Sequence, residues 1–239
     1  MIFGAIVAGG IGSRMKSYDF PKQFLPLGPS GKPIIIHTLE KFLLCKRLDY
    51  IYVGVHKDWT DYAEELLDKY DLNSDRIFVV EGGKDRNLTI LNIINSIEKN
   101  HGESSEHIIV THDAVRPFLT VKMIEDNIDA AIECGGCDTV VSAIDTIIES
   151  KNGDTISLIP NRNYMYQGQT PQSFNMSKLK KFYNELTEEE KAVLTDACKI
   201  FLFKNQPIKL VPGDTFNIKI TTLSDYKIAS AIVGGNLID

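Results

Sequence analysis

"IVAGGIGSRMKSYDFPKQF", which runs from Ile6 to Phe24, is the stretch that decides the fold. It passes from a short apolar run into three glycines and then places two cations, Arg14 and Lys22, in the same loop. Glycines directly after a strand let a ligand approach the backbone closely and expose N–H groups that bind anions. The two cations predict an anion of more than one charge, and a phosphate chain is the first candidate.

Composition and charge limit the classes of protein to which the chain can belong. With 239 residues, 43% of them hydrophobic and 24% charged, it suits one large globular domain, possessing a real core. The net charge of −6 argues against DNA or RNA as the main partner. The apolar start, Met1–Val7, lacks the features of a signal peptide, and no apolar run approaches the ~20 residues of a membrane span. We therefore expect a cytoplasmic protein without a membrane or nucleic-acid partner.

Two of the four cysteines, Cys134 and Cys137, have the CxxC spacing of zinc and redox sites. The sequence has no second CxxC or Cys/His pair that would complete a tetrahedral site. Both intervening residues are glycines, at the point where a predicted helix gives way to a predicted strand. Glycine is usual at the C-terminal end of a helix, so the spacing favours a structural role.

The first part of the chain alternates between β-rich runs and helical patterns. This order predicts an α/β fold of the Rossmann-like kind, with a mostly parallel sheet covered by helices on both faces. Ligands bind such sheets at the carboxyl ends of the strands, where the glycine loop falls. The predicted strands are Ile2–Val7, Tyr50–Val55, Ile77–Val80, His107–Thr111 and Thr139–Ile144, and the predicted helices are Ile34–Cys45, Trp59–Tyr70, Asn87–Lys99 and Val121–Glu133.

The alternation stops after Ile144. An Asn152-Gly153 turn between β-prone runs predicts a hairpin, which we expect to protrude as an arm over residues 145–167 of a single domain, 1–239. The regular pattern then returns. Its later members are the predicted helices Met176–Leu186, Thr195–Phe203 and Ser224–Val233 and the predicted strands Ile208–Val211 and Asn217–Ile220.

The glycine loop fits neither of two common phosphate-binding motifs. A Walker loop ends in Gly-Lys-Ser/Thr, which is absent here, and Met15 stands where a dinucleotide fingerprint has its third glycine. What remains is Ala-Gly-Gly-Ile-Gly-Ser-Arg-Met followed by Pro21-Lys22-Gln23. This pattern resembles the signature of nucleotidyltransferases that join a nucleotide to a phosphorylated small molecule.

Further stretches extend this resemblance over nearly the whole chain, and in the same order. "GGKDRNLTI" (Gly82–Ile90) resembles the Gly-Gly-x-x-Arg-x-x-Ser segment with which cytidylyltransferases of this group hold cytidine. "HDAVRPF" (His112–Phe118) resembles their His-Asp-Ala-x-Arg-Pro segment. Three later elements also match, namely "QTPQSF" (Gln169–Phe174), "TDA" (Thr195–Ala197) and "NIKITT" (Asn217–Thr222).

Two branches share the pattern: 2-C-methyl-D-erythritol 4-phosphate cytidylyltransferases of isoprenoid synthesis, and ribitol-5-phosphate cytidylyltransferases, which make CDP-ribitol for teichoic acids and capsules. Ala8-Gly9-Gly10 departs from the Ala-Ala-Gly usual in the erythritol branch, and "YQGQTPQSF" and "HDAVRPF" look more like the ribitol branch. We therefore expect the ribitol activity, with the erythritol activity as the alternative. A non-catalytic nucleotide sensor is a further alternative, although a sensor has little need for Arg14, Lys22 and Lys219 together.

The resemblance implies roles for individual residues. A phosphate oxygen of the acceptor, an alditol phosphate, would attack the α-phosphorus of CTP and release pyrophosphate. Arg14 and Lys22 would hold the triphosphate, Arg162 and Lys219 would bind the acceptor phosphate, and Thr195 would help to orient the acceptor. The residues implied in nucleotide binding are Val7, Ala8, Gly9, Gly10, Gly12, Gly82, Gly83, Lys84, Asp85, Arg86, Asn87, Leu88 and Thr89.

Two further expectations concern a metal and a second subunit. Asp113 follows a predicted strand, and a carboxylate there suits Mg²⁺ bound jointly with substrate phosphates. Its neighbour His112 is expected to be structural, because an ionised phosphate nucleophile needs no base. The resemblance also implies a homodimer in which the arms clasp and Arg162 reaches the acceptor site of the neighbouring subunit.

Overall fold

A seven-stranded sheet covered by helices on both faces forms the centre of the molecule. The computed structural model describes residues 1–10 and 20–235. Along the chain, the strands of the sheet are β1 (Ile2–Ala8), β4 (Tyr50–Val55), β5 (Ile77–Glu81), β6 (Ile108–Asp113), β7 (Gly136–Ser142), β8 (Tyr166–Asn175) and β9 (Lys209–Pro212). Across the sheet, they lie side by side in the order β5-β4-β1-β6-β8-β7-β9. Two further strands, β2 (Pro26–Leu27) and β3 (Lys32–Pro33), form a separate ribbon. The helices are α1 (Ile34–Leu44), α2 (Thr60–Lys69), α3 (Arg86–His101), α4 (Val121–Cys134), α5 (Met176–Asn184), α6 (Glu188–Ala192), α7 (Cys198–Phe203) and α8 (Leu223–Val233).

The predicted α/β architecture is confirmed, and most of its parallel pairing comes from the first half of the chain, with one further parallel pair between β7 and β9. Strand β1 lies between β4 and β6 and pairs with both in parallel, and β4 pairs in parallel with β5. Helices α1, α2 and α4 pack on one face of the sheet, whereas α3, α5 and α7 pack on the other. Because the inner parallel strands β1, β4 and β6 are covered on both sides, their side chains are buried almost continuously, as the apolar runs indicated.

Of the seven strands of the sheet, β8 is the one that sequence patterning did not predict. It runs antiparallel between β6 and β7 and carries most of the "QTPQSF" segment into the interior. Its polar composition and its proline hide it from a search for apolar alternation. Thr139 and Asn217 satisfy backbone oxygens of β8, because the Thr139 hydroxyl donates to Pro171 O (2.6 Å) and the Asn217 amide donates to Thr170 O (2.8 Å).

Residues 145–167 form a loose arm with a single bridge between Glu149 and Leu158 in place of a regular hairpin. The Asn152-Gly153 turn is present, with Gly153 at φ 76°, and the Asn152 side chain accepts hydrogen bonds from the two residues that follow Gly153. Apolar side chains remain exposed along this segment, including Ile148, Ile156, Leu158 and Ile159.

Two local predictions are wrong. Asn217–Ile220 is an irregular segment in place of a strand. The Asn217 carbonyl accepts from the Arg116 guanidinium, and its side chain, not its backbone, bonds strand β8 at Thr170 O, so no backbone ladder forms. The helix predicted from Thr195 begins at Cys198, where the Asp196 carboxylate accepts from the Cys198 N–H (2.7 Å).

The CxxC pair has the structural role that its glycines indicated. Gly135 ends α4 in the left-handed region (φ 82°), and Cys137 is buried in the sheet with its pKa raised to about 12 by burial. In the described part of the chain, no three or more His, Cys, Asp or Glu side chains cluster in a way that could hold a metal ion. None of its helices is long and apolar enough to cross a membrane.

Candidate active site

A cleft of about 270 Å³ opens at the carboxyl ends of β1 and β6, where parallel sheets of this kind bind ligands. The cleft brings together residues from the glycine loop, the "GGKDR" loop, the end of β6 and the segment before α8. Its lining residues are Val7, Ala8, Gly9, Gly10, Lys22, Gln23, Gly83, Lys84, Asp85, Arg86, Thr89, Asp113, Ala114, Val115 and Lys219.

Gln23 joins the described start of the glycine loop to the short helix that carries Lys22. Its buried side-chain amide donates to Ala8 O (2.6 Å) and Gly10 O (3.0 Å). These two bonds fix the described start of the loop, and Gln23 itself lines the cleft. Lys22 lines the cleft, whereas Gly12 and Arg14 lie outside the described residues. Gln23 belongs to the Pro21-Lys22-Gln23 motif, but the sequence alone did not indicate that it bonds the glycine loop.

Thr89, in the first turn of α3, is enclosed by three glycines from separate parts of the fold. A Cβ atom on Gly9 or Gly82 would lie 3.0 or 3.1 Å from the Thr89 hydroxyl oxygen. A Cβ atom on Gly54, in β4, would lie 2.6 Å from the Thr89 methyl carbon. Larger side chains at these positions would push α3 away from the sheet, so the glycines set how closely α3 approaches the cleft.

The Thr89 hydroxyl also shapes the loop before α3. It accepts from Gly83 N (3.0 Å) and donates to Asp85 O (2.8 Å). The Asp85 carboxylate caps α3 by accepting from Leu88 N (2.9 Å), so it serves the helix. The α3 N-terminus therefore faces the cleft with its positive end, which favours an anion there. Gly82, Asn87 and Leu88, predicted to contact the nucleotide, support this turn from outside the cleft lining.

Asp113, at the end of β6, is a buried carboxylate surrounded by cations. Its Oδ1 lies 3.0 Å from Arg86 Nε, and its Oδ2 lies 2.7 Å from Lys219 Nζ and 3.9 Å from Arg116 Nε. Burial alone would raise the pKa of Asp113, but these positive charges outweigh it and hold the pKa well below its usual range. Asp113 is therefore ionised at neutral pH and fixes the three cations around it.

This arrangement does not fit a magnesium ion held by Asp113. Both carboxylate oxygens already contact cations, and no second carboxylate of the described chain joins Asp113 in a metal-binding cluster. A divalent ion in this cleft would therefore have to be held mainly by substrate phosphates.

His112 is structural, as expected. It is fully buried, and burial lowers its pKa to about 4, so the ring is neutral at physiological pH. Its two ring nitrogens lie 2.9 Å from Arg116 O and 2.9 Å from the Thr170 hydroxyl. Neither nitrogen is left to accept a proton from a substrate.

A second layer of carboxylates lies behind Arg86, and sequence reasoning missed it apart from the "TDA" match. The side-chain amide of Gln172 donates to Asp138 (2.9 Å) and to Asp196 (2.6 Å). Burial raises the pKa of Asp138 to about 6, and the nearby charge of Asp196 adds to this shift. Burial alone would lower the pKa of Arg86, but Asp113 and Asp196 raise it, so the guanidinium stays charged in the interior.

Two predicted acceptor-binding residues lie outside the cleft of their own chain. Arg162 is exposed at the end of the arm, where its guanidinium donates to Ile144 O (2.6 Å). Thr195 is exposed beside a separate cavity on the other side of the α3 N-terminus, which it shares with Tyr183 and Lys191. Of the predicted acceptor-binding residues, Lys219 alone lines the cleft.

A family model described as IspD, 2-C-methyl-D-erythritol 4-phosphate cytidylyltransferase, matches residues 2–235. The chain belongs to the IspD family. It is therefore a CTP-dependent nucleotidyltransferase, in agreement with the resemblance seen in its motifs.

Solved structures of family members share the fold. The 4-diphosphocytidyl-2C-methyl-D-erythritol synthase of Anaerococcus prevotii is 26% identical, with a TM-score of 0.78 and 98% of both chains covered. The 2-C-methyl-D-erythritol 4-phosphate cytidylyltransferase of Francisella tularensis is also 26% identical, with a TM-score of 0.79, covering 95% of this chain and 97% of that one. A Thermus thermophilus enzyme of the same name, at 20% identity and a TM-score of 0.73, covers 98% of this chain and 99% of its own and shows the fold alone.

Proposed function

We propose that the protein transfers a cytidylyl group from CTP to D-ribitol 5-phosphate, forming CDP-ribitol and pyrophosphate, in the cytoplasm and for teichoic acid or capsule synthesis. The choice of acceptor rests on the departure of Ala8-Gly9-Gly10 from the Ala-Ala-Gly of the erythritol branch and on the likeness of "YQGQTPQSF" and "HDAVRPF" to the ribitol branch. Gly9 replaces the second alanine of the erythritol pattern, and Thr89 replaces the serine of the Gly-Gly-x-x-Arg-x-x-Ser segment. A Cβ atom on Gly9 would lie 3.0 Å from the Thr89 hydroxyl oxygen, so the two departures accommodate each other.

2-C-methyl-D-erythritol 4-phosphate is the second candidate acceptor. The family model and the named solved relatives favour it over ribitol 5-phosphate, because all of them carry the methylerythritol activity in their names. At 26% identity the relatives differ from this chain at most positions, which leaves room for a different acceptor.

The cleft provides positioning and positive charge, which are what phosphoryl-type transfer needs. A phosphate oxygen of the acceptor forms a bond to the α-phosphorus of CTP, while the bond from that phosphorus to the β-phosphate oxygen breaks and pyrophosphate leaves. The nucleophile is already ionised, so no proton needs to be removed. Lys22 and Arg14 hold the triphosphate and neutralise the charge that develops on it, aided by the backbone N–H groups of the glycine loop.

The acceptor is assigned to the side of the cleft that carries Asp113 and Lys219. The acceptor phosphate carries negative charge, and Lys219, which is about one-third exposed, offers it a cation already placed by Asp113 at 2.7 Å. Any Mg²⁺ would arrive with the triphosphate, since the described residues do not provide a cage of carboxylates for it.

A homodimer completes the proposal. An isolated two-stranded arm is marginally stable, and this arm leaves Ile148, Ile156, Leu158 and Ile159 each more than half exposed. A second copy that covers these side chains would bring Arg162 to the neighbouring acceptor site. Twofold pairing would then give two equivalent sites.

A pyrophosphate-release assay with CTP and each acceptor tests the function. We expect a higher specificity constant for ribitol 5-phosphate, because a site built for its hydroxyls leaves polar groups unpaired with the wrong acceptor. A clear preference for the methylerythritol compound would replace the first proposal by the second. Binding of CTP without turnover of any alditol phosphate would instead indicate a nucleotide sensor.

A further inference from the structure

Four buried or half-buried residues form a closed circuit of hydrogen bonds beside the cleft. The circuit runs from His112 to Arg116, then to Asn217, then to Thr170 and back to His112. His112 Nε2 lies 2.9 Å from Arg116 O, and the Arg116 guanidinium donates to Asn217 O (2.7 Å). The Asn217 amide donates to Thr170 O (2.8 Å), and the Thr170 hydroxyl lies 2.9 Å from His112 Nδ1. We call this set the His112 circuit.

Elementary hydrogen-bond chemistry fixes the direction of every bond in the circuit. A carbonyl oxygen only accepts, so His112 Nε2 carries the proton and donates to Arg116 O. In the neutral ring Nδ1 is then an acceptor, so the Thr170 hydroxyl donates to it. The same hydroxyl oxygen accepts from Asp113 N (3.2 Å). One tautomer of one buried ring therefore satisfies all of these groups at once.

The His112 circuit ties together three chain segments beside the cleft. They are the loop after β6, the middle of β8 and the irregular segment before α8. A further backbone bond, from Ile220 N to Val115 O (2.9 Å), joins the first and third segments. Asp113 follows His112 directly, and Lys219 stands two residues after Asn217. The Asp113–Lys219 ion pair is thus carried by two segments that the circuit links.

We propose that His112 is a positioning residue for the cytidylyl transfer: through the circuit, its buried ring holds Lys219 and Asp113 at the acceptor side of the cleft. This inference rests on the proposed function and explains how Asp113 and Lys219 are held in place on the proposed acceptor side of the cleft. His112 cannot contact a substrate itself, because it is fully buried. Its influence passes through Arg116, Thr170 and the segments that they join.

The circuit suits this task because Lys219 lies in irregular backbone. Outside a helix or strand, a chain segment has no ladder of backbone bonds to hold it, so side-chain bonds must do so. Misplacing a reacting group by about 1 Å costs on the order of 10²-fold in rate. A hydrogen-bonded network in the interior restricts such displacement.

A matched pair of variants tests the proposal kinetically. His112→Phe keeps a ring of similar shape beside Phe42 but removes both nitrogens. His107→Phe makes the same change at the other end of β6, where the buried ring packs against Phe3. We expect His112→Phe to lower kcat/KM for the acceptor about 10- to 100-fold with little change in KM for CTP. His107→Phe should leave both parameters near their normal values, and His112→Gln, which retains a donor for Arg116 O, should recover part of the loss.

Amide hydrogen exchange supplies a readout that does not depend on activity. We expect faster exchange at Ile218 and Ile220 in His112→Phe and in Thr170→Val, but not in His107→Phe. Nitrogen-15 shifts of the wild-type His112 ring should show the neutral Nε2–H tautomer. Unchanged exchange in both circuit variants, the other tautomer, or an equal loss of turnover in His107→Phe would overturn the proposal. If the wild type turns over neither acceptor while exchange and tautomer are as expected, the proposed function fails and the circuit's role in holding the segment stands.

Discussion

A Cβ atom placed on Gly9 would lie 3.0 Å from the hydroxyl oxygen of Thr89, although Gly9 follows β1 and Thr89 lies in α3. That oxygen also bonds the backbone of the loop before α3 at Gly83 and Asp85. The Thr89 methyl carbon sits where a Cβ on Gly54 would be 2.6 Å away, which leaves the side chain little freedom to move. The shape of the nucleotide side of the cleft thus depends on a contact between these two residues.

We expect Gly9→Ala alone to weaken CTP binding and to lower stability by about 1–3 kcal/mol, because the added methyl group crowds the fixed Thr89 side chain. Gly9→Ala combined with Thr89→Ser should recover part of both losses, since serine lacks the methyl group that fixes its rotamer. A double-mutant cycle on KM for CTP and on the urea midpoint measures this coupling, which should be on the order of 1 kcal/mol. Strictly additive effects would show that the two positions are independent.

Lys22→Ala should remove most of the turnover and leave the fold intact. The side chain lines the cleft and contributes little to the core, whereas loss of one preorganised cation costs on the order of 10²–10³ in rate. The measurement is kcat/KM together with the thermal midpoint. Lys57→Ala, which removes a lysine in the short helix before α2, serves as the control. Near-normal turnover in Lys22→Ala would take Lys22 out of the site.

Asp138 should make stability depend on pH in an unusual direction. Burial raises its pKa from an ordinary value near 3.8 to about 6, so the folded state binds its proton more tightly than the unfolded state does. Ionising the buried Asp138 therefore lowers the free energy of unfolding. This loss of stability is absent below about pH 4, grows as the pH rises to about 6, and is fully present above that pH.

Asp138→Asn should therefore stabilise the protein above pH 6 by on the order of 1–3 kcal/mol and change little at pH 4. The amide oxygen of asparagine can still accept the hydrogen bond from the Gln172 side chain. The charged groups that act on position 138 are Asp196, Arg86 and Arg116. Urea unfolding of both proteins at several pH values measures the difference. Equal stabilisation at all pH values would assign the effect to packing instead, and Asp75→Asn controls for loss of an exposed charge.

Mixed dimers test whether Arg162 acts across an interface. Lys22→Ala and Arg162→Ala subunits should each be inactive alone. If Arg162 serves the neighbouring site, a mixed dimer contains one site with both lesions and one with neither, so activity should reappear after subunit exchange. Activity that stays at the level of the parents, in dimers shown to have mixed, would place Arg162 in its own chain's site or outside catalysis.

The sequence by itself determined the alternating part of the fold and the position of the glycine loop at the edge of the cleft. Apolar runs of strand length, such as Tyr50–Val55, and helices with apolar residues at three- and four-residue spacing depend on local periodicity, which is visible in one dimension. The glycine loop and Lys22 were predictable for the same reason, because a loop that follows a buried strand must lie at the carboxyl edge of the sheet.

Only the tertiary structure decided the arrangement around Asp113 and Lys219. Strand β8 is polar and contains a proline, so nothing local marks it as a strand between two others. Asp113 meets Arg86, Arg116 and Lys219, which come from segments distant in sequence. Because these cations already contact both carboxylate oxygens, Asp113 does not fit a site for a metal ion. The His112 circuit and the enclosure of Thr89 by glycines likewise depend on contacts between separate elements. Such contacts arise when the whole chain packs, because burial, charge pairing and steric fit are properties of neighbours in space.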